Sequence, residues 1–287
     1  YVLGLTVAED RAPLVAGTAV HAALATWLKT SGDSAAAMRT LEVEYMPWAL
    51  EHVLQSDDRL SYANVRRVME YWFDVHPLSS WTVRVRPEMV EIGFAVPIAS
   101  DIIFVGRVDA VGEDPRGATV VIEHKSGGRL DERWRRTHRL AAQITGYTRA
   151  IQEHVNVPVL GAFVNGIELS RLPNSIQKCR KHGVTYNECG QLHAKFEAFI
   201  TQRTPAQQDE WQRTAVVLAR EFLALKERIK TIDDVLTVRT NGQFIGACSL
   251  CPFITWCELG RPTEARTVDA MFTYEPWSPF LHAFSTD

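Results

Sequence analysis

No apolar run among the 287 residues approaches the roughly 20 that a membrane-spanning helix needs. The opening stretch, Tyr1-Val2-Leu3-Gly4-Leu5-Thr6-Val7-Ala8-Glu9-Asp10-Arg11, lacks the basic-then-apolar pattern of a secretory leader. These absences lead to the expectation of a soluble, cytoplasmic protein with no membrane partner. Internal repeats and low-complexity tracts are also missing. With 46% hydrophobic and 23% charged residues, the composition excludes disordered, collagen-like and mucin-like chains. Positive charge is not in excess: 31 Lys+Arg against 34 Asp+Glu leave a net charge of -3, so nucleic-acid binding has to come from a local basic patch. Cysteine is scarce. Five in 287 residues, an odd number, exclude a disulfide scaffold. Position 1 is Tyr and not Met, so residues upstream of Tyr1 are expected.

The apolar residues that are present follow two periods. Val20, Leu24, Trp27 and Leu28 recur at helical spacing after Gly17-Thr18, where Thr18 can cap a helix start. Helical pattern continues over about 35–54 and 62–73 and closes at His76-Pro77. From Trp81 the period becomes two: Val83 and Val85, then 89–96, 102–111 and 119–125 read as strands rich in β-branched residues. Turn chemistry at Ala99-Ser100-Asp101 and over 113–117 joins them into an antiparallel meander. One helix is expected over 133–154, a strand over 159–164, polar loops over 178–190 and a long helix over 207–230. The order suggests an α/β core over 81–170, preceded by a helical segment over 1–80 and followed by a helical extension over 171–240 and a cysteine-bearing region over 241–287, together one compact domain.

On the meander, charge stands where apolar residues are the rule. Glu123 and Lys125 lie two apart on one strand and share a face, with His124 on the other; Asp109, across a hairpin, joins them in the natural register. Two carboxylates and a lysine on an apolar sheet are costly unless they bind something. Carboxylates hold a hard cation such as Mg2+ or Mn2+, the cation polarises a phosphate and acidifies a bound water, and an ammonium orients that water or offsets charge growing on phosphorus. That chemistry is metal-assisted phosphodiester hydrolysis. Taken alone, Glu-x-Lys is more simply an edge-strand salt bridge.

Beyond Lys125, Gln143-Ile144-Thr145-Gly146-Tyr147 puts two polar groups on one helical face. Together Gly106-Arg107-Val108-Asp109, Ile122-Glu123-His124-Lys125 and Gln143-x-x-x-Tyr147 resemble the PD-(D/E)XK nuclease superfamily in its RecB-like branch, and Gly17-x-x-x-His21 stands where that branch carries a histidine. The resemblance covers about 17–163 and resumes at the C-terminal cysteines. It implies a restriction-endonuclease-like α/β core, a mixed sheet flanked by helices. It further implies that His21, Asp109, Glu123 and the backbone carbonyl of His124 ligate Mg2+ or Mn2+, that Lys125 is catalytic, and that Gln143 and Tyr147 position the DNA strand or the lysine. Glu91 matches a further acidic position in many relatives, with a solvent-facing strand residue as the equal alternative.

Cys248-x-x-Cys251 followed by Cys257 supplies three thiolates, one fewer than a zinc or iron–sulfur site normally takes, interleaved with Pro252, Phe253 and Trp256 that would shield a cluster. Spacing alone does not choose the metal. In the iron–sulfur subgroup of RecB-like nucleases, which includes CRISPR-associated adaptation exonucleases and the AddB helicase-nuclease, such a triplet joins one cysteine ahead of the histidine helix and clips the two ends of the nuclease domain together. The resemblance therefore implies a [4Fe-4S] cluster, with zinc as the second choice. It puts the fourth cysteine just upstream of Tyr1, because the first five residues resemble the segment that follows it. Cys179 and Cys189 lie in a polar insert and read as free thiols or, with His182 and His193, as a second zinc site.

Arg129, Arg133, Arg135, Arg136 and Arg139, with Trp134 among them, face only Asp131 and Glu132 in the stretch after Lys125. Arginines there can take phosphates while Trp134 stacks a base. A solvated helix start is the plain alternative, at odds with the helix dipole unless something anionic pairs with the arginines. The basic run over 178–182 would extend the track. The expected function is a divalent-metal-dependent deoxyribonuclease, an exonuclease on single-stranded DNA or duplex ends, working with DNA and with a helicase, recombinase or integrase-type protein. The alternative is a DNA-binding or assembly subunit of a helicase-nuclease, recombination or integration complex with a structural zinc or iron–sulfur site. The intact Asp109, Glu123, Lys125, Gln143 and Tyr147 set argues against lost cleavage.

Overall fold

The computed structural model describes residues 12–53, 59–169, 183–185, 194–238, 251 and 253–274, and the backbone of 5–7. Cys179, Cys189, Cys248, His182, His193 and the run over 178–182 lie outside the described residues. The chain divides into two units, Arg11–Gln212 and Tyr1–Asp10 with Arg213–Asp287.

In the larger unit, helix α1 (Ala12–Lys29) begins well ahead of the expected cap at Thr18. Pro13 explains this: in a first turn its missing N–H has no helical partner to lose, and its fixed φ suits the helix. Thr18 is an interior residue. Helix α2 (Ser34–His52) starts at Asp33, whose carboxylate accepts from the Ala36 N–H at 2.9 Å, and α3 (Tyr62–Val75) starts at Ser61 in the same manner. Trp27 meets Trp72 and Trp81 edge to face at 5.2 and 5.3 Å, so these helices and the entry to the sheet share one aromatic centre.

The sheet has five strands, β2 (Arg84–Ala99), β3 (Ile102–Glu113), β4 (Thr119–Gly127), β5 (Val159–Glu168) and β6 (Phe196–Gln202), in that spatial order. Among the described residues only the β4–β5 pair is parallel. Its crossover holds two helices, α4 (Glu132–Arg139) and α5 (Ala142–Val155), where one was expected. The break at Leu140-Ala141 separates a helix that buries no residue from one that buries Ile144, Thr145, Gly146, Thr148, Ala150 and Ile151. The expected mixed α/β sheet flanked by helices is present.

Both faces of β4 and β5 are covered, which accounts for their continuous apolar runs. Val120 and Ile122 pack with Phe163 and Ile167 under α1 to α3, whereas Val121 and Val164 pack with Ile144 and Ile151 of α5. Each such side chain, fully buried, contributes about 1.5–3 kcal/mol. Strand β3 pairs with β4 only from Ala110 to Glu113; towards its start it stays with β2 and leaves β4. Asp109 is the first residue past that fork, opposite Glu91, whose φ of 58° marks a local distortion of β2.

Helix α6 (Pro205–Arg228) crosses the boundary between the units. In the smaller unit β1 (Leu5–Val7) pairs antiparallel with β7 (Phe272–Tyr274), with Leu5 opposite Tyr274. Two short helices, α7 (Ile254–Glu258) and α8 (Ala265–Met271), precede β7. Trp256 and Phe253 pack on Phe272, and the Trp256 indole N–H donates to the Pro262 carbonyl at 2.9 Å. Among the described residues no helix is long and apolar enough to cross a membrane.

Candidate active site

The fork between β3 and β4 frees backbone groups that a continuing ladder would have paired. Asp109 Oδ2 accepts from the His124 N–H at 2.7 Å and so takes the place of a strand partner. Its other oxygen meets His21 Nδ1, on α1, at 3.1 Å. Across the fork Lys125 Nζ lies 2.6 Å from Glu123 Oε1 and donates to Gln143 Oε1 at 2.9 Å. Gln143 Nε2 in turn donates to the Tyr147 hydroxyl at 3.1 Å, the two residues standing one helical turn apart on α5. His21, Asp109, Glu123, Lys125, Gln143 and Tyr147, drawn from two helices and two strands, thus form two hydrogen-bonded groups at one end of β4.

The two carboxylates are not equivalent. Burial alone would raise Asp109, but the His21 hydrogen bond and charge, with the His124 N–H, outweigh it and hold the carboxyl below the usual range. Burial and then the charge of Asp109 push Glu123 up, more than Lys125 pulls it down. Glu123 is 3% exposed, and its Oε2 has no hydrogen-bond partner among the described residues. His21 is depressed by burial, yet Asp109 and Glu123 leave it raised overall. Tyr147 is raised, chiefly by burial. Glu91 pairs with Arg107 at 2.7 Å; burial still raises it, against the pull of that arginine.

As the side chains stand, they are turned to protein partners, and among the described residues no three His, Cys, Asp or Glu side chains converge closely enough to hold an ion. The donor set nevertheless suits a hard cation: carboxylate oxygens, one of them buried and unpartnered, beside a second carboxylate already anionic. Along one edge of an extended strand a residue's N–H and C=O project together, so the His124 carbonyl faces the same fork as the N–H that Asp109 caps.

The His124 ring points to the opposite face of β4. It is buried, stacks on Trp81 at 6.1 Å with planes 14° apart, and Nδ1 accepts from Asn165 Nδ2 at 2.9 Å. Burial pushes its pKa down to about 4, so the ring is neutral. Asn165, beside His124 in the β4–β5 register, was not singled out from sequence. The available signal was a lone amide after Ala162-Phe163-Val164 in a strand buried on both faces.

The arginine stretch divides. Arg129 pairs with Asp131 at 3.2 Å and Arg136 with Glu132 at 3.1 Å, while Arg135 pairs with Glu197 of β6. Asp131 also caps α4 by accepting from the Trp134 N–H. The helix-dipole conflict is thereby relieved from within the protein. Trp134 is not an open stacking platform. Its ring lies over Gly166, where a Cβ would come within 2.5 Å of it, and meets Phe199 edge to face at 5.9 Å. Arg133 and Arg139 are exposed and make no ion pair among the described residues. In the smaller unit Cys251 is half-buried and Cys257 exposed on α7, flanking Phe253 and Trp256.

No curated protein matches the chain. A solved structure titled "Crystal structure of SSO0001" is similar over 69% of this chain and 74% of that chain, at 11% identity and a TM-score of 0.28, a superposition too loose to assign anything. The family model of the PD-(D/E)XK nuclease superfamily matches residues 1–258. A match over nearly the whole chain, taking in the fork and both of its carboxylates, makes this protein a member of the PD-(D/E)XK nuclease superfamily, whose metal-dependent nucleases usually use Mg2+ or Mn2+.

Proposed function

We propose that the chain is a deoxyribonuclease of the RecB-like iron–sulfur branch, an exonuclease on single-stranded DNA or duplex ends. The cation site is assigned to His21, Asp109, Glu123 and the His124 carbonyl, and the observation that carries this is the buried, unpartnered Glu123 Oε2 beside anionic Asp109. When bound, the cation polarises the phosphate and supplies a hydroxide-like nucleophile at neutral pH. The protein's part is positional and electrostatic. Lys125, held between Glu123 and Gln143, presents an ammonium to the attacking water or to charge growing on the phosphate. Tyr147 fixes the Gln143 amide so that its oxygen stays on the lysine. Arg133 and Arg139, exposed on α4, are free to meet phosphates.

A [4Fe-4S] cluster on Cys248, Cys251 and Cys257 belongs to the same proposal. Pairing of β1 with β7 joins the N-terminal strand to the segment after Cys257, the connection that a cluster clipping both ends of the domain requires. The aromatic packing of Phe253, Trp256 and Phe272 puts apolar surface on the segment that carries Cys251 and Cys257, of the kind that borders a cluster.

End-labelled single-stranded DNA with Mn2+, and with EDTA as control, tests the activity. The wild type is expected to degrade linear strands and spare circular ones, and Glu123→Ala and Lys125→Ala to lose cleavage while keeping fold and cluster. Cleavage retained by purified Glu123→Ala overturns the site, and cleavage of circles overturns the exonuclease. Anaerobic metal analysis separates a brown iron–sulfur protein from a colourless zinc protein.

A further inference from the structure

Two buried side chains fix the backbone at Arg59-Leu60, just ahead of α3. Asn64 Nδ2 donates to the Arg59 carbonyl at 2.8 Å, and the Tyr45 hydroxyl donates to the Leu60 carbonyl at 2.5 Å. Both donors are fully buried. Carbonyls at a loop-to-helix junction ordinarily take water, so internal donors committed to both make Arg59 the root of a held arm.

That arm reaches the bight between β4 and α4. A Cβ built on Gly128 would lie 3.2 Å from an Arg59 guanidinium nitrogen, whereas one built on Gly127 meets nothing within 4 Å. The bight is itself pinned. The Gly127 carbonyl accepts from the Leu169 N–H at 2.7 Å, the Leu130 N–H donates to Glu168 at 2.9 Å, and Lys195 donates to the Leu130 carbonyl. Gly128 stands three residues past Lys125, so its Cα lies within about 11 Å of the lysine's.

Unlike Arg129, Arg135 and Arg136, Arg59 has no carboxylate partner among the described residues. A half-buried arginine with an anchored root, no carboxylate partner among the described residues and open space at neighbouring Gly127 is pre-organised for an anion, and its guanidinium fork matches phosphate.

We propose that Arg59 is a phosphate clamp, taking a backbone phosphate of the single-stranded DNA that passes Gly127-Gly128 on its way to the cation site. The inference rests on the nuclease reading and adds to it a contact from the loop before α3, far in sequence from the arginines of α4.

The test is binding of labelled oligothymidylate by fluorescence anisotropy, in a fixed concentration of Ca2+ in place of Mn2+, over a series of salt concentrations. One single-strand phosphate contact contributes about 0.7 to the slope of log K against log salt. Arg59→Gln is expected to flatten the slope by that amount, so that a fourfold rise in salt weakens the variant about 2.6-fold less than the wild type. Arg59→Lys keeps the wild-type slope. Arg66→Ala, which removes an exposed arginine already paired with Glu70, changes nothing. Arg59→Met, which retains the aliphatic stem, repeats the measurement if Arg59→Gln does not fold. A wild type that cleaves in Mn2+ while Arg59→Gln or Arg59→Met keeps its slope overturns the clamp alone. A wild type that neither cleaves nor binds overturns the nuclease reading and the clamp with it.

Discussion

Gly146 lies on the buried side of α5 between Gln143 and Tyr147, and the Trp211 indole occupies the place its side chain would take. A Cβ built there would come within 2.4, 2.8 and 3.1 Å of three ring carbons. In an unpacked helix, Gly→Ala stabilises by about 1 kcal/mol. Here the ring is wedged against Phe104 at 5.0 Å, and the next residue, Gln212, is tied to the Ile98 carbonyl at 2.7 Å, so it has little room to retreat. Approach below ordinary contact distance puts the overpacking cost at about 2–3 kcal/mol. Gly146→Ala is therefore expected to destabilise by about 1–2 kcal/mol, and the same change in a Trp211→Ala background, where the space is open, to stabilise by about 1 kcal/mol. The coupling is then about 2–3 kcal/mol. Urea unfolding of the four proteins at constant m reads it directly. An identical effect of the alanine in both backgrounds refutes the argument that packing against Trp211, and not helix propensity, keeps glycine at this position.

Asn165→Ala leaves the buried His124 Nδ1 without its donor, so unfolding free energy is expected to fall by about 1–3 kcal/mol, read by the same urea titration. Asp114 holds the β3–β4 turn by accepting from the Ala118 and Arg116 N–H groups at 2.8 and 2.9 Å, and these bonds, against some burial, keep its carboxyl below the usual range. A depressed carboxyl contributes stability that is full above its unfolded pKa and lost as pH falls through the folded one. Asp114→Asn should therefore lose less stability than the wild type on acidification below about pH 4, in calorimetry over a pH series. Mn2+ at about a hundredfold its dissociation constant is expected to stabilise the wild type by about 2.7 kcal/mol, with the increment lost in Glu123→Gln. A thermal-shift increment that survives in the variant removes Glu123 from the ligand set.

The run over 119–125 was readable because a strand covered on both faces needs β-branched residues in succession, and Glu123 and Lys125 were conspicuous as charges within it, as was Asp109 in the β-branched run over 102–111. The division of α4 from α5 was not, since Leu140-Ala141 carries no Gly or Pro and the break answers to what each helix packs against. Strand β6 was hidden for another reason: Phe196, Phe199 and Ile200 recur at helical spacing, and only the edge of β5 makes the segment extended. Trp134 among arginines looked like a stacking platform because its slot is the missing side chain of Gly166, and the acid that answers Arg135 is Glu197 on another strand. Local sequence carries neither contact.

The inequality of the two carboxylates has its own consequence for metal binding. Asp109 is settled as an anion by His21 and the His124 N–H, and Glu123, buried beside it, bears the repulsion. A raised carboxyl works against stability as pH rises: the native state holds the proton more tightly than the unfolded chain, so folding loses free energy above the ordinary glutamate range. The raised histidine has the same sign, stabilising below its unfolded pKa and ceasing to do so as pH rises through the folded one. Under the proposed ligand set a proton competes with the cation at both more than at Asp109. Mn2+ affinity is accordingly expected to weaken as pH falls from neutrality, beginning above the range in which ordinary carboxylates titrate. Calorimetric titration at successively lower pH checks it; an affinity that stays constant until carboxylates normally protonate would mean that neither His21 nor Glu123 feels the burial and charge that the fork imposes.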